Sequence, residues 1–480
     1  MTITRRTFLR LSGAAVPVAA SLGAAVGPDR WAELRRRLSG PLLVPGDAGY
    51  EAARHGYFTM YDHHPAAIAG CVSEADVQAC VDFAAHHGVP VAARSGGHSY
   101  VGYSTVDGGL VVDVGRLDRI RVLGHGHAVV GAGARLGPVY QALGSAGRAL
   151  GAGTCPTVGI AGLTLGGGVG VLGRLLGLTC DQLESARVVT ADGVARTVSA
   201  HEHADLFWAL RGGGGGNFGI VTSFTFRTAP APDLTSFSLQ FPPAAAAALF
   251  AEWQDWQPRQ PDELWSDLGL GATAANFGGC FAGPRGRLKP ILDAFVRRVG
   301  AAPTMREEPE TDFLGAMRYF AGCADLGGSA CGPGWGGGTG SIGTAAYVAT
   351  SRMQLRPAKD PAAVLELLSE DPVSYTIVDG GGGAIARGDS AFPHRRALAS
   401  FQFIYGLDHA PETAARRAIG RMRDGLGPEF GTTGYVNYLD PEMPDWGRAY
   451  YGSSLPGLRA VARRYDPDRV FAFPQGVTPA

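Results

Sequence analysis

The segment at residues 94–99 combines the residue types of an anion-binding loop with a histidine that can act as a nucleophile. Its sequence is Arg-Ser-Gly-Gly-His-Ser, and it follows a short extended run from Val89 to Ala93. Adjacent glycines allow positive φ angles, so successive backbone N–H groups can converge on a pyrophosphate. The segment does not match the GxGxxG fingerprint of dinucleotide-binding loops. Taken alone, it fits both an anion-binding loop and an ordinary surface loop in which His98 is satisfied by its neighbours.

A second segment places a cysteine at the start of a glycine-rich stretch, about sixty residues downstream. Cys155 precedes Pro156, and eight glycines lie in the range from Gly151 to Gly170. A cysteine before proline is conformationally restricted, and glycines let the backbone approach a flat ligand closely. Composition alone fits equally a small buried cysteine followed by a flexible loop.

The tail contains a third candidate, Tyr435-Val436-Asn437-Tyr438. One interpretation is an amphipathic strand whose tyrosines face the core or its rim. The other is a phenol that acts as a base. Because an ordinary phenol has a pKa near 10, such a base needs neighbours that stabilise its phenolate.

Charge and composition exclude several classes of partner. The 480 residues include 42 Lys+Arg and 43 Asp+Glu, for a formal net charge of −1. Without a basic field, a nucleic acid or an anionic membrane is not expected as a partner. With 45% hydrophobic residues, the chain is expected to form a well-packed globular protein long enough for two domains.

The N-terminus predicts export. Arg5-Arg6 precedes a mostly apolar run that is too short and too rich in small residues to span a bilayer, and it resembles a twin-arginine signal peptide over residues 1–27. The mature protein is therefore expected outside the cytoplasm, without stable membrane insertion.

None of the seven cysteines has zinc-site spacing, so no metal is expected. Cys71 with Cys80, or Cys323 with Cys331, are possible disulfide pairs.

The helices and strands that position these residues can be predicted from hydrophobic periodicity and from capping and turn residues. Ser73 as N-cap and Gly88 as stop predict a helix between them. Strands are expected near 110–114, 128–132 and 219–226, with a hairpin around Ala191-Asp192-Gly193. The composition shift at Pro230-Ala231-Pro232 marks a domain boundary.

Together, the histidine and cysteine motifs resemble those of the berberine bridge enzyme-like oxidases of the vanillyl-alcohol oxidase superfamily. The resemblance continues through Asp205–Gly213, Asn217–Thr222, Ala391–Arg395 and the tail, and it thins between about 232 and 370. It implies an α+β fold with a PCMH-type FAD-binding domain and an antiparallel sheet-plus-helices substrate domain. The domains implied are 60–230 for FAD, 231–430 for substrate, and 431–480 as a segment that returns to the FAD domain.

The resemblance also implies the cofactor and the site residues. FAD would be attached twice, from His98 to the flavin 8α-methyl and from Cys155 to flavin C6. Two attachments would hold the ring flat and withdraw electron density, which favours hydride uptake. The other cofactor-binding residues implied are Arg94, Ser95, Gly96, Gly97, Ser99, Gly159, Gly162, Gly166, Gly167, Gly170, Ile220, Val221 and Asn437. Tyr435 is the expected base, with Tyr438 as the second candidate.

The expected function is that of a secreted oxidase. It would transfer hydride from a C–H next to a hydroxyl, in a carbohydrate, lactol or glycosylated metabolite, to flavin N5, and O2 would reoxidise the flavin to give H2O2. The alternatives are an oxidative cyclase, a dehydrogenase with another acceptor, or a non-enzymatic flavoprotein. The oligomeric state is left open.

Two positions depart from the family pattern. Gly381 stands where many relatives have an aromatic residue, Ser454 stands where asparagine is common, and Tyr375 is a speculative substitute for the missing aromatic. These departures bear on substrate geometry and on which tyrosine is the base.

Overall fold

A computed structural model describes residues 27–323 and 344–479. The expected signal peptide, except Gly27, and Cys331 lie outside these residues. Cys71 and Cys80 are free thiols, and the Cys71 sulfur donates to the carbonyl of Ala69 at 3.7 Å. Within the described ranges, no helix is both long and apolar enough to cross a membrane.

The described part of the chain alternates short strands with helices. The strands in chain order are β1 Leu42–Leu43, β2 Ala67–Gly70, β3 Val91–Arg94, β4 Leu110–Asp113, β5 Ile120–Val122, β6 His127–Gly131, β7 Arg148–Ala149, β8 Leu183–Val189, β9 Ala195–Ser199, β10 Ile220–Arg227, β11 Ala229–Pro230, β12 Leu234–Gln240, β13 Leu264–Gly271, β14 Ala274–Ala282, β15 Met305–Glu307, β16 Glu310–Thr311, β17 Tyr347–Gln354, β18 Tyr375–Gly380 and β19 Ala399–Gly406. The α-helices are α1 Pro28–Arg37, α2 Tyr50–Arg54, α3 Glu74–His87, α4 Leu136–Ser145, α5 Ile160–Leu165, α6 Gly173–Leu176, α7 Ala204–Ala209, α8 Ala246–Trp256, α9 Arg285–Val299, α10 Phe313–Phe320, α11 Pro361–Leu368, α12 Ala384–Arg387, α13 Glu412–Gly425, α14 Gly427–Phe430, α15 Trp446–Tyr451 and α16 Leu455–Tyr465.

The first half of the molecule is built on two sheets. In one, β2, β4 and β3 run parallel and β1 adds an antiparallel edge. The helix that connects β2 to β3 begins and ends where the sequence predicts, because Ser73 caps the N–H of Asp76 and Gly88 adopts a left-handed φ of 64°. The other sheet is antiparallel, in the order β5-β6-β10-β8-β9.

This half begins earlier than the predicted boundary at residue 60. Helix α1 packs on α3 through Trp31 and Phe83, whose ring centroids are 5.1 Å apart. Strand β1 pairs with β2. Trp31, Leu34 and Leu42 therefore belong to the same hydrophobic core as the two sheets.

The second half is a large antiparallel sheet in the order β15-β12-β14-β13-β18-β19-β17, with β16 beside β12. One face carries apolar side chains such as Leu268, Leu270 and Val378, which share a core with Trp253 of α8. Since side chains alternate along a strand, the opposite face carries Asp267 and Asp379, which are direct partners across β13 and β18. The polar face of this sheet is the one available to a ligand.

The C-terminal segment packs against the first half. Leu458, Val461 and Tyr465 of α16 join the core of the two N-terminal sheets, and α16 contacts α7. Tyr435 belongs to the same core. The segment therefore brings its tyrosines to the boundary between the two halves.

Candidate active site

The 94–99 loop forms one wall of a small pocket. Arg94, at the end of β3, contacts Asp113 Oδ2 through both Nε and Nη2 at 2.8 Å. Its third nitrogen, Nη1, is buried without a hydrogen-bond partner, as is the hydroxyl of Thr105. Both residues line the pocket, together with Gly97 and Ser99. A buried cation and a hydroxyl that both lack a partner fit an anionic or polyol ligand, such as the chain between the two ring systems of FAD.

Glycines bring the first two motifs into direct contact. A Cβ at Gly96 would lie 2.3 Å from the backbone nitrogen of Gly159, and a Cβ at Gly159 would lie 2.3 Å from Ser95 Oγ. Ser95 is itself fixed, because its hydroxyl donates to the carbonyl of Ala132 at 2.7 Å. Only glycine at both positions allows this approach. The loops that carry His98 and Cys155 therefore pack backbone to backbone.

His98 and Cys155 are joined by a single hydroxyl. Thr157 Oγ1 lies 3.0 Å from His98 Nε2 and 3.4 Å from Cys155 Sγ. Tyr57 stacks on the imidazole, with ring centroids 3.8 Å apart and planes inclined by 20°. Burial, and secondarily the charge of Arg135, lowers the pKa of His98 to about 4. At neutral pH the imidazole is therefore uncharged and keeps a lone pair for bond formation.

The glycines that follow Cys155 have different roles. A Cβ at Gly166 would lie 1.9 Å from Asn437 Oδ1, and one at Gly170 would lie 1.7 Å from the carbonyl oxygen of Ala152. Gly167 has a φ of 124°, which a side chain would strain. Gly162 instead faces open space. These positions give a flat backbone surface beside the attachment residues.

Two expected cofactor residues lie deeper than predicted. Ile220 and Val221 begin β10 and pair with Val189 and Val188. Their side chains are only 2% and 3% exposed and belong to the first core. They support the site from beneath, and their side chains add no surface to it.

Tyr435 is enclosed by the backbone of the glycine-rich segment. Its hydroxyl oxygen accepts hydrogen bonds from the N–H of Gly168 at 2.9 Å, from the N–H of Val169 at 3.3 Å and from the Asn437 amide at 2.8 Å. The amide of Asn437 also donates to the carbonyl of Leu163 at 3.0 Å. Burial raises the pKa of Tyr435 to about 12, although these donors oppose the rise. With 2% exposure, this tyrosine ties the tail to the glycine-rich segment.

Tyr438 lies in a more open position, where it is only partly buried. Its ring stacks on Tyr100, with centroids 5.4 Å apart and planes 7° apart. Burial raises its pKa well above the ordinary value, and the nearby charge of Asp379 raises it further. Of the two tail tyrosines, Tyr438 is therefore the one on which the charge of Asp379, on the large antiparallel sheet of the second half (the substrate sheet below), acts.

Asp379 and Asp267 form a half-buried carboxyl pair on that sheet. Burial, and secondarily the charge of the neighbouring Asp267, raises the pKa of Asp379 to about 7. Burial likewise raises the pKa of Asp267 to about 6. Gly278 lies beside the pair, and a Cβ there would be 2.6 Å from Asp267 Oδ1. A carboxyl that titrates near neutrality is suited to accept a proton during catalysis.

Sequence reasoning missed several of these residues. They share a position at the boundary of the two halves and comprise Tyr57, Tyr100, Thr157, Asp267, Tyr347, Asp379 and Gln402. Tyr100 directly follows the 94–99 motif, and Asp379 lies on the same face of β18 as Tyr375. The sequence therefore held a signal that could have identified both Tyr100 and Asp379. Gln402, which donates to the Tyr100 hydroxyl at 2.5 Å, carried none because the contact joins distant parts of the chain.

The positions that depart from the family pattern have structural reasons. A Cβ at Gly381 would lie 2.2 Å from the carbonyl oxygen of Ala397, so no side chain fits there without a backbone shift. Tyr375 is 37% exposed, and its hydroxyl lies over Gly269, where a Cβ would be 2.0 Å away. Tyr375 is the first residue of β18 and therefore reaches the polar face of the sheet from that end of the strand. Ser454 lies in a short 3-10 turn before α16.

Two family models match the chain, an FAD-binding domain at residues 65–199 and a berberine and berberine-like segment at 434–478. An FAD-linked oxidoreductase of Bacillus subtilis is 32% identical, and the match covers 93% of this chain and 98% of the relative. A glucooligosaccharide oxidase of Sarocladium strictum is 33% identical over 90% of this chain and 91% of its own length.

The fold comparison agrees. A structure of glucooligosaccharide oxidase from Acremonium strictum, whose flavin is a 6-S-cysteinyl, 8α-N1-histidyl FAD, superposes with a TM-score of 0.83. The two chains are 30% identical, and the match covers 93% of this chain and 99% of that one. These matches confirm the predictions of the α+β fold and of FAD as cofactor. The chain belongs to the berberine bridge enzyme-like family of FAD-linked oxidoreductases.

Proposed function

We propose that this chain is a carbohydrate oxidase that carries FAD on both His98 and Cys155. The observation that carries the proposal is the placement of the half-buried Tyr438, stacked on Tyr100 next to the 94–99 loop and within electrostatic range of Asp379, whose pKa is raised to about 7. Asp379 lies on the polar face of the large sheet, and Tyr438 packs against the core of the half that holds the two attachment residues. Bound FAD would accept a hydride from the substrate carbon and pass the electrons to O2, giving H2O2.

The residues of the chain handle the proton. When the substrate hydroxyl gives its proton to the oxygen of Tyr438, the phenolic proton can pass to the Asp379 carboxylate. This relay needs no free phenolate, which the buried site disfavours. The C–H bond electrons then leave as hydride while a carbonyl forms at the substrate carbon, so charge and protons balance.

The substrate class is inferred from the lining of the polar face and from the relatives. Asp267, Asp379 and Gln402 offer hydrogen-bonding groups to hydroxyls, and Tyr375 presents an exposed ring that suits stacking on a pyranose. A relative of similar length is a glucooligosaccharide oxidase. Export through the twin-arginine pathway would place such an enzyme where oligosaccharides are met.

The experiment is a screen of mono- and oligosaccharides for H2O2 release, with oxygen uptake measured in parallel. We expect aldehyde-terminated oligosaccharides to release as much H2O2 as the amount of O2 that is taken up. Flavin reduction by a sugar with reoxidation only by a quinone would replace the oxidase with a dehydrogenase. No flavin reduction by any sugar would overturn the substrate class.

The double attachment is tested by mass. We expect the denatured wild-type protein to carry one FAD, and His98→Ala and Cys155→Ala each to retain it through the remaining bond. The double variant is expected to lose FAD on denaturation. If one of the single variants releases its flavin on denaturation, the residue that remains in that variant forms no bond, and only the substituted residue does so in the wild type.

A further inference from the structure

We propose that Thr157 is a positioning residue for flavin attachment, because its one hydroxyl orients both nucleophiles. The inference rests on the proposed attachment at His98 and Cys155 and concerns how these residues are made reactive. Thr157 lies two residues beyond the cysteine and is 7% exposed. No other hydroxyl among the described residues hydrogen-bonds to both attachment residues.

The geometry limits what the hydroxyl can do. Thr157 Oγ1 has one proton to donate, and it has partners on both sides, His98 Nε2 at 3.0 Å and Cys155 Sγ at 3.4 Å. It therefore donates to one partner and accepts from the other. In the reactive arrangement, His98 Nε2–H donates to Oγ1, and Oγ1–H donates to the Cys155 sulfur as a thiolate. The thiol proton has then left to solvent.

This arrangement prepares both nucleophiles at once. With the proton held on Nε2, the lone pair of His98 lies on Nδ1, which becomes the attacking atom. Burial keeps the ring neutral, and stacking on Tyr57 fixes its plane. The hydrogen bond from Oγ1 stabilises the thiolate, which is the nucleophilic form of cysteine.

The attachment steps balance with O2 as the oxidant. At each site the new bond, Nδ1–C8α or Sγ–C6, would replace a C–H bond of the flavin; the second proton comes from the ring of His98 at one site and, at the other, from the solvent that took up the thiol proton of Cys155. The ring gains two electrons in the process. Dioxygen takes up those two electrons and two protons as H2O2, so each attachment consumes one O2. Thr157 is regenerated unchanged.

The test measures attachment separately at each residue. Full-length protein is prepared without flavin and mixed with FAD in air, and attached FAD is followed by mass under denaturing conditions. Thr157→Val keeps the shape and removes the hydroxyl, whereas Thr157→Ser retains it. Each is combined with Cys155→Ala to report on His98, and with His98→Ala to report on Cys155.

We expect Thr157→Val to slow both attachments by about tenfold or more, since each loses a hydrogen bond to a reacting group, and Thr157→Ser to restore them to within about threefold. Thr350→Val is the matched control, because Thr350 is a buried threonine of the substrate sheet whose hydroxyl has no partner. It should attach FAD at the wild-type rate. Non-covalent FAD affinity, measured before attachment, should not change in Thr157→Val.

The outcomes separate this inference from the proposed function. Wild-type rates at both residues in Thr157→Val would overturn the inference while leaving the oxidase intact. A loss confined to one residue would overturn the claim that the hydroxyl serves both. Failure of the wild type to form either bond would instead contradict the double attachment. If Thr157→Val does not fold, Thr157→Ala against Thr157→Ser gives the same comparison.

Discussion

Tyr438→Phe is expected to lower kcat by about 10³-fold, within the range for loss of a group that transfers a proton in the transition state. The ring remains stacked on Tyr100, so substrate binding and flavin attachment should change little. What is lost is the oxygen that receives the substrate proton and passes its own proton to Asp379. The measurement is single-turnover reduction of the flavin by the best sugar, with attached FAD checked by mass.

Tyr435→Phe is the matched control, because it removes the same atom from the enclosed tyrosine. The N–H groups of Gly168 and Val169 would then be buried without an acceptor. That should cost about 1–3 kcal/mol of stability per unsatisfied group and lower Tm. Flavin reduction in the folded variant should stay within about tenfold of wild type. A loss as large as that of Tyr438→Phe, in folded protein, would identify Tyr435 as the base expected from the sequence.

The two tyrosines show where sequence reasoning stops. Their motif, at positions 435–438, is recognisable because it is local, as are the Ser73 cap and the Gly88 stop that set the bounds of α3. Which tyrosine faces the substrate depends on the path of the tail across the glycine-rich segment. That path is fixed by hydrogen bonds between residues more than 260 positions apart. No periodicity in the sequence encodes such a contact.

The carboxyl pair shows the same limit for the substrate half. Asp267 and Asp379 are more than a hundred residues apart and meet only because β13 pairs with β18 in one register. A slip of β18 by one residue would turn the carboxyl of Asp379 toward the helices and the apolar core. By contrast, His98 and Cys155 could be paired from sequence, because each lies in a motif that resembles a known family.

Asp379→Asn is expected to lower kcat by about 10²-fold or more, since the amide cannot accept the phenolic proton of Tyr438. Because the pKa of Asp379 is raised to about 7, wild-type activity should increase as pH rises through that value and the carboxylate forms. The variant should lose this acid limb. Asp267→Asn removes the like charge that helps to raise the pKa, so its acid limb should shift to lower pH while most activity remains. An acid limb near 7 that persists in Asp379→Asn would exclude this residue as the base.

Asp379→Asn should change stability in the opposite direction from activity. A carboxyl whose pKa is higher in the folded than in the unfolded protein binds more protons when folded, so its contribution to stability is full at low pH and is lost as pH rises toward the folded pKa. For Asp379 that window extends from about 4, the ordinary pKa of an aspartate, to about 7. At pH 8 the wild type therefore carries buried charge that Asp379→Asn lacks, and the variant should have the higher Tm. At pH 4 the two should melt alike. A pH-independent difference in Tm would mean that packing, and not ionisation, separates the variant from the wild type. A higher Tm of the variant at high pH only would identify the ionised carboxyl pair as a destabilising feature that the fold retains for catalysis.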